Sequence, residues 1–191
     1  MLKILVILFF FFSTSLVWGE AFYDGFERED NDELENDWKV QTDGTITIEI
    51  VDNEALISGT QATDWQRSGL FRSVEEETKV YFDFLANDKF NVHLRLDDEG
   101  SGSYIDIYAP PGGSFSYAAL SGGDAWPGWT AIPGSNTKAG QYNNFGVEKD
   151  GDDLLIILNE KEILAVEHPN LRNITKILIA SDAAAGTKGS L

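Results

Sequence analysis

Residues 91–108 read NVHLRLDDEGSGSYIDIY, and this stretch decides the fold class. Residues 91–97 and 104–108 alternate apolar with polar side chains, and a polar segment with two glycines joins them. Alternation with a period of two places the apolar side chains of a β-strand on one face and the polar ones on the other. The stretch therefore predicts two consecutive antiparallel strands, each with one face in a core.

The same alternation continues on both sides of this stretch. It is clearest in TITIEIV at 45–51 and KVYFDFL at 79–85, and Asp150-Gly151-Asp152 between two apolar runs indicates a tight hairpin. The pattern predicts about ten to twelve short strands in one domain, typical of an antiparallel sandwich or barrel.

The N-terminus has the pattern of a secretory signal peptide. Lys3 precedes the apolar run ILVILFFFF at 4–12, which is shorter than the roughly 20 residues that span a bilayer. Cleavage after Gly19, or as late as Ala21, would export residues 20–191 to the periplasm or the cell exterior, with no membrane insertion afterwards. A retained N-terminal anchor is the alternative.

Charge and cysteine content narrow the class of partner. The chain carries a net charge of −18 and has no Cys. Nucleic acids and anionic membranes need a basic surface, so neither is expected as a partner. The many acidic residues serve solubility in one interpretation and Ca²⁺ binding in the other. Because no disulfide is possible, the stability of the domain must come from its core.

Three passages resemble the concanavalin A-like lectin/glucanase superfamily, including its LamG-like jelly rolls. They are FYDGFER at 22–28 followed by Leu34 and Trp38, the paired strands YNNFGVEKDGDDLLIIL at 142–158, and residues 174–180. The resemblance implies an all-β, two-sheet antiparallel jelly-roll sandwich. In that family a last strand pairs beside the first, and here the sequence stops where that strand would begin.

Catalytic motifs of the superfamily are weak in this sequence. Its glucanases carry E-x-D-x-x-E on one strand, whereas the nearest strand here, residues 104–108, holds the single acid Asp106. Alginate lyases of similar fold have counterparts only in part, at Arg67 with Arg72, at His93 and at residues 138–143. A lyase acting on a uronate-containing glycan is therefore the second alternative function.

Alternation also predicts a face with the chemistry that sugars need. If the strands at 79–85, 91–97 and 104–108 are neighbours, one sheet presents aromatic rings for apolar sugar faces and charged groups for hydroxyls. The residues concerned are Tyr81, His93, Arg95, Tyr104, Asp106 and Tyr108. An ordinary solvated sheet is the alternative interpretation.

Four tryptophans follow the predicted signal peptide, and two of them lie in one loop. Trp126 and Trp129 flank Pro127-Gly128, where they could either close the end of the core or form a stacking platform for a ligand. Trp38 and Trp65 are predicted to pack in the core.

The favoured prediction is a secreted, non-catalytic, lectin-like module that binds a polysaccharide or glycoconjugate. A structural or protein-interaction module without a glycan ligand is the first alternative. The resemblance further implies a structural Ca²⁺ near the chain ends, for which Asp24 and Glu27 are the local candidates.

Overall fold

The structure, a computed structural model, describes residues 34, 36–52, 54–77, 79–85, 89–137 and 140–190. These residues form β-strands, turns and loops without a helix, so no described segment is a helix that could cross a membrane. The predicted signal peptide lies outside the described residues. The strands are β1 (Lys39–Gln41), β2 (Thr47–Val51), β3 (Glu54–Thr60), β4 (Ser68–Glu77), β5 (Lys79–Leu85), β6 (Asn91–Asp98), β7 (Ser103–Ala109), β8 (Ser114–Leu120), β9 (Thr130–Asn136), β10 (Tyr142–Asp150), β11 (Asp153–Leu158), β12 (Lys161–Glu167), β13 (Ile174–Asp182) and β14 (Lys188–Ser190).

The strands build a two-layer antiparallel sandwich. One layer is a seven-stranded sheet in the order β1-β4-β13-β6-β7-β8-β9, and the other consists of the sheets β12-β11-β10-β5 and β14-β3-β2. Every pairing between these strands is antiparallel. The predicted all-β, two-sheet antiparallel jelly-roll sandwich is confirmed as the fold class, with the second layer divided into two sheets. Fourteen strands are described where about ten to twelve were expected, and two of them, β1 and β14, are only three residues long.

Apolar side chains from both layers meet in two clusters. The larger cluster joins the seven-stranded and four-stranded sheets, and its fully buried members include Leu94, Ile107, Phe145 and Ile156. A smaller cluster packs β2 and β3 against Leu70 of β4. Each aliphatic or aromatic side chain buried in this way stabilises the fold by roughly 1.5–3 kcal/mol, which is how a domain without cysteine holds together.

Tight turns set the register of the β10–β11–β12 hairpins. Gly151 follows β10 with a φ of 62°, at the position where the sequence predicts a hairpin. Asn159 and Glu160 join β11 to β12 with φ values of 51° and 65°. Two successive left-handed residues are the mark of a type I′ turn, whose twist matches that of paired strands.

One assumption behind the predicted binding face is wrong. Strands β5 and β6 are consecutive in sequence, but β5 pairs with β10 in the four-stranded sheet whereas β6 pairs with β13 and β7. The chain crosses from one layer to the other after Leu85. Tyr81 is consequently separated from the other five residues predicted for that face.

Candidate functional site

Strands β6 and β7 place five of the predicted site residues together on one face of the seven-stranded sheet. In the antiparallel register, His93 lies opposite Tyr108, Arg95 opposite Asp106, and Asp97 opposite Tyr104. Their neighbours Val92, Leu94 and Ile107 point into the core on the other face. Alternation along the two strands therefore positions these side chains as the sequence predicts.

Two of these residues form a buried polar network rather than an exposed surface. Arg67 Nη2 donates to Asp106 Oδ2, and His93 Nδ1 lies 3.4 Å from Asp106 Oδ1. On its other side, His93 Nε2 lies 3.0 Å from Asp182 Oδ2, at ion-pair distance but not aligned as a hydrogen bond. Asn91 Nδ2 donates to Asp182 Oδ1 at 2.5 Å.

The expected exposure of His93 and Asp106 is wrong, since only 2% and 1% of their surfaces are accessible. The ring of Trp129 lies 6.1 Å from that of His93, and Arg67 contacts Asp106 from outside the two strands. These neighbours occupy the space above the sheet where a ligand would have to enter. His93 and Asp106 can therefore shape the site from below but are poorly placed to touch a ligand.

Electrostatics favour the protonated form of His93 and the ionised form of Asp182. Burial by itself would lower the pKa of His93, but the carboxylates of Asp106 and Asp182 outweigh burial and the opposing charge of Arg67, so the pKa is raised. Burial would raise the pKa of Asp182, yet His93, Asn91 and Arg67 together lower it. The arrangement favours an imidazolium between two carboxylates.

An aromatic cluster covers one end of the network. The ring of Tyr108 lies 5.3 Å from His93 and 5.0 Å from Trp129, and Trp126 stands edge-on to Trp129 at 5.3 Å. Trp126 and Trp129 are 50% and 41% exposed, so they are not the core residues of the alternative interpretation. Burial and the charge of Asp182 raise the pKa of Tyr108, which keeps its hydroxyl protonated.

A groove of about 460 Å³ runs over the other end of the same face. Its walls include Phe71 and Tyr104, and the Arg95 guanidinium lies 3.7 Å above the Tyr104 ring. Arg95 also donates to Asp97 Oδ1 through Nε at 2.8 Å and Nη2 at 2.6 Å. Lys176 Nζ lies 5.1 Å from the centre of the Phe71 ring. The groove thus combines flat rings with charged hydrogen-bonding groups.

Asp98 borders the groove but serves the turn that follows β6. Its Oδ1 accepts the backbone N–H of Gly100 at 3.0 Å and of Ser101 at 3.1 Å, and its Oδ2 accepts that of Arg172 at 3.1 Å. Although burial acts to raise the pKa of Asp98, hydrogen bonds from Ser101, Asn173 and Arg172 lower it overall. Its oxygens are therefore engaged in holding the loops together.

Tyr81 has a local partner in the four-stranded sheet. Its ring lies against Gly146, where an added Cβ would come 2.3 Å from Tyr81 Cε1. Its hydroxyl donates to Glu148, and burial together with that carboxylate raises the pKa of Tyr81 to about 12. Tyr81 thus packs across β5 and β10, away from the site.

The residues that resemble a lyase site do not assemble. Arg67 and His93 meet through Asp106, but Tyr142 lies on β10 in the other layer, where its hydroxyl donates to Glu54. Arg72 donates instead to the carbonyl of Asn36. Lys138 and Ala139 lie outside the described residues.

The prediction for Trp65 is wrong and that for Trp38 is nearer the observed packing. Trp38 is partly buried against the smaller core cluster, whereas Trp65 is 61% exposed in the loop between β3 and β4. Pattern reasoning also missed Asp182, Phe71 and Lys176. Nothing in the sequence indicated that β13 would pair with β6 on one side and with β4 on the other.

The candidate metal ligands Asp24 and Glu27 lie outside the described residues. Elsewhere in the part of the chain that the structure describes, no group of three or more His, Asp or Glu side chains could hold a metal ion.

Comparison with known proteins identifies the fold. No protein-family model and no curated protein sequence matches this chain. Among solved structures, a sialidase matches with a TM-score of 0.66 at 13% identity, over 89% of this chain but 17% of that one. SCLam, a non-specific endo-beta-1,3(4)-glucanase from family GH16, matches with a TM-score of 0.59 at 10% identity, over 85% of this chain and 82% of that one.

A carbohydrate-binding module, CBM66 from Bacillus subtilis, matches with a TM-score of 0.54 at 13% identity, over 81% of this chain and 93% of that one. Identities this low show a shared fold and nothing further. The fold is the concanavalin A-like jelly roll, as the sequence resemblance implies.

Proposed function

We propose that this protein is an exported, non-catalytic carbohydrate-binding module whose ligand is a neutral or weakly charged polysaccharide or glycoconjugate. The observation that carries the proposal is the pair of half-exposed indoles, Trp126 and Trp129, at the end of a face that also holds the Tyr104–Arg95 groove. Exposed indoles are costly in water and stack well on the apolar C–H faces of sugar rings.

Polar groups beside the rings suit sugar hydroxyls. Arg95 offers planar N–H donors and Asp97 offers carboxylate oxygens, and their mutual contacts at 2.6 and 2.8 Å hold both side chains in place. A groove of about 460 Å³ falls in the range of small-molecule sites. The similar fold of CBM66 is compatible with this assignment.

The carboxylates near the indoles argue against glycoside hydrolysis. A retaining glycosidase needs a nucleophile and a general acid about 5–5.5 Å apart, and the acid requires a raised pKa. Asp106 is bound to Arg67 and His93, and the pKa of Asp182 is lowered. Both carboxylates are therefore committed to structural ion pairs.

A glycan-array screen of the purified protein, with and without Ca²⁺, tests the proposal. We expect binding to at least one class of neutral glycan, lost in the double variant Trp126→Ala/Trp129→Ala. The matched control is Tyr142→Ala, which removes an exposed aromatic ring from the other layer. If the folded protein binds no glycan, the proposal is wrong and the structural or interaction module becomes the better assignment. Release of unsaturated uronate products would instead indicate a lyase.

A further inference from the structure

Trp65 is the most exposed large apolar side chain in the described part of the molecule, at 61%. Its backbone is also unusual, with a φ of 57°. The left-handed region is unfavourable for a residue with a bulky side chain, and such conformations persist only where surrounding contacts enforce them. Trp65 is thus held in an unfavourable conformation with its indole in solvent.

The loop that carries Trp65 is built by side-chain hydrogen bonds. Asp43 Oδ2 accepts the backbone N–H of Ala62 at 3.0 Å and of Thr63 at 2.7 Å. The buried Gln61 donates through Nε2 to the carbonyl of Thr63 at 2.9 Å. These contacts fix the residues before Trp65, so the presentation of the indole is defined by the fold.

The second half of the loop is hydrogen-bonded to the segment that follows β13. Trp65 N donates to the carbonyl of Ala183 at 2.9 Å, and Ala185 N donates to Asp64 Oδ1 at 2.7 Å. Ala183 directly follows Asp182, the partner of His93. The loop therefore connects Trp65 to the polar network that lies under Trp129.

Trp65 and Trp129 are both connected to this network, Trp65 through the backbone beside Asp182 and Trp129 through its ring contact with His93. Trp65 lies two residues before Arg67, which directly precedes β4, whereas the Trp129 ring packs at a tilt against Tyr108 of β7. In the sheet order β4-β13-β6-β7 these strands are three spacings apart, which is about 14 Å. This spacing between β4 and β7 is longer than one sugar ring, so an oligosaccharide of several rings fits across these strands.

Arg67 links the loop that carries Trp65 to β7, the strand of Tyr108. Its guanidinium reaches across β13 and β6 to Asp106, over positions where the paired residues Gly69 and Ala180 are small. The Arg67 side chain keeps 23% of its surface accessible. A guanidinium has five N–H donors, so the bond to Asp106 leaves donors with which a sugar hydroxyl could interact.

We propose that Trp65 is a second stacking residue of the glycan site and that the ligand is an extended oligosaccharide reaching from Trp129 over Arg67 to Trp65. The inference rests on the proposed function and goes further by specifying the length of the ligand. Affinity should rise with chain length until both indoles are covered, because each stacked ring adds its own contribution.

The test uses an array that presents each glycan as a length series from disaccharide to hexasaccharide, and compares the parent protein with Trp65→Gly and Trp65→Phe. Glycine relieves the backbone strain at a φ of 57°, so a folding defect is not expected from that variant. We expect Trp65→Gly to bind hexasaccharides about tenfold more weakly with disaccharide binding unchanged, and Trp65→Phe to retain most of the affinity.

The outcomes separate this inference from the proposed function. If Trp65→Gly binds every length as the parent does, while Trp126→Ala/Trp129→Ala binds none, the role of Trp65 is wrong and the proposed function stands. Equal weakening at all lengths would also overturn the two-indole site. If the parent itself binds no glycan, the proposed function fails and the inference fails with it.

Discussion

His93 and Asp106 lie on neighbouring strands with Nδ1 and Oδ1 3.4 Å apart, and both are buried although they face away from the main core. Arg67 pairs with Asp106, and Asp182 lies at ion-pair distance from His93. A buried ion network of this kind specifies one arrangement of the strands that share it, since removing one member leaves a neighbouring charge short of a partner. Here it joins β13, β6, β7 and the residue before β4, beneath the aromatic cluster.

Asp106→Asn should destabilise the protein by about 3–5 kcal/mol, because it removes the carboxylate that pairs with Arg67 and leaves His93 with Asp182 alone. Asp97→Asn is the matched control, since Asp97 pairs with the partly exposed Arg95 and should cost at most about 1 kcal/mol. Urea unfolding midpoints at constant m-value measure both changes. Equal losses in the two variants would contradict the structural role of the network.

Stability should depend on the titration of His93. Its folded-state pKa is raised, so its contribution is fully present below the unfolded value of about 6.5 and is lost as pH rises through the folded value. The groups that face it are Asp106 and Tyr108 of β7, Asp182 of β13 and Arg67 before β4. The stabilisation of the parent over His93→Gln should therefore shrink as pH increases above about 6.5.

The titration of Asp182 affects folding stability at acidic pH. Its pKa is lowered, so its contribution is present above its ordinary value and is lost as pH falls through the folded value. Calorimetric melting temperatures of the parent, His93→Gln and Asp182→Asn across the pH range measure both effects. A parent and a His93→Gln variant with parallel profiles would show that His93 does not titrate as described.

Tyr81→Ala should leave glycan binding unchanged, since Tyr81 lies on the four-stranded sheet with its hydroxyl on Glu148. Gly146→Ala should destabilise the protein by roughly 1–3 kcal/mol, because the new Cβ would displace the Tyr81 ring. The double variant should recover most of that loss. Array binding and urea unfolding test the two statements, and weaker glycan binding by a folded Tyr81→Ala variant would place Tyr81 in the site after all.

The resemblance to calcium-binding jelly rolls predicts that chelation lowers the melting temperature. We propose Asp24 and Glu27 as ligands, and Asp24→Asn/Glu27→Gln should remove the difference between melts with EDTA and with Ca²⁺. Asp150→Asn, a substitution at the last residue of β10, is the control. Identical melts of the parent under both conditions would rule out a stabilising Ca²⁺.

The sequence predicted local properties better than long-range ones. Alternation in residues 91–108 correctly assigned β6, β7 and their inner faces, because side-chain direction in a strand depends only on sequence position. It could not show that Asp182, 89 residues after His93, would lie beside it, since strand pairing depends on the whole fold. The crossing after β5 removed Tyr81 from the face for the same reason.

Trp65 shows a second reason why a prediction from the sequence fails. Composition suggests burial for an indole. This one is held in solvent by a loop in which Asp43 and Asp64 accept backbone N–H groups and Gln61 donates to a backbone carbonyl. For Trp126 and Trp129 the sequence left both burial and exposure open. The structure shows both indoles half-exposed, with Trp129 packed on Tyr108 and Trp126 edge-on to Trp129.

The most direct measurement is an NMR titration of the indole N–H signals of Trp38, Trp65, Trp126 and Trp129, assigned by single substitutions, with an oligosaccharide bound by the parent on the array. Carbohydrate binding at the proposed site predicts that the signals of Trp126 and Trp129 shift and saturate together, while that of Trp38, packed against the smaller core cluster, stays in place. Saturable binding that leaves the signals of Trp126 and Trp129 unchanged would contradict the proposed site.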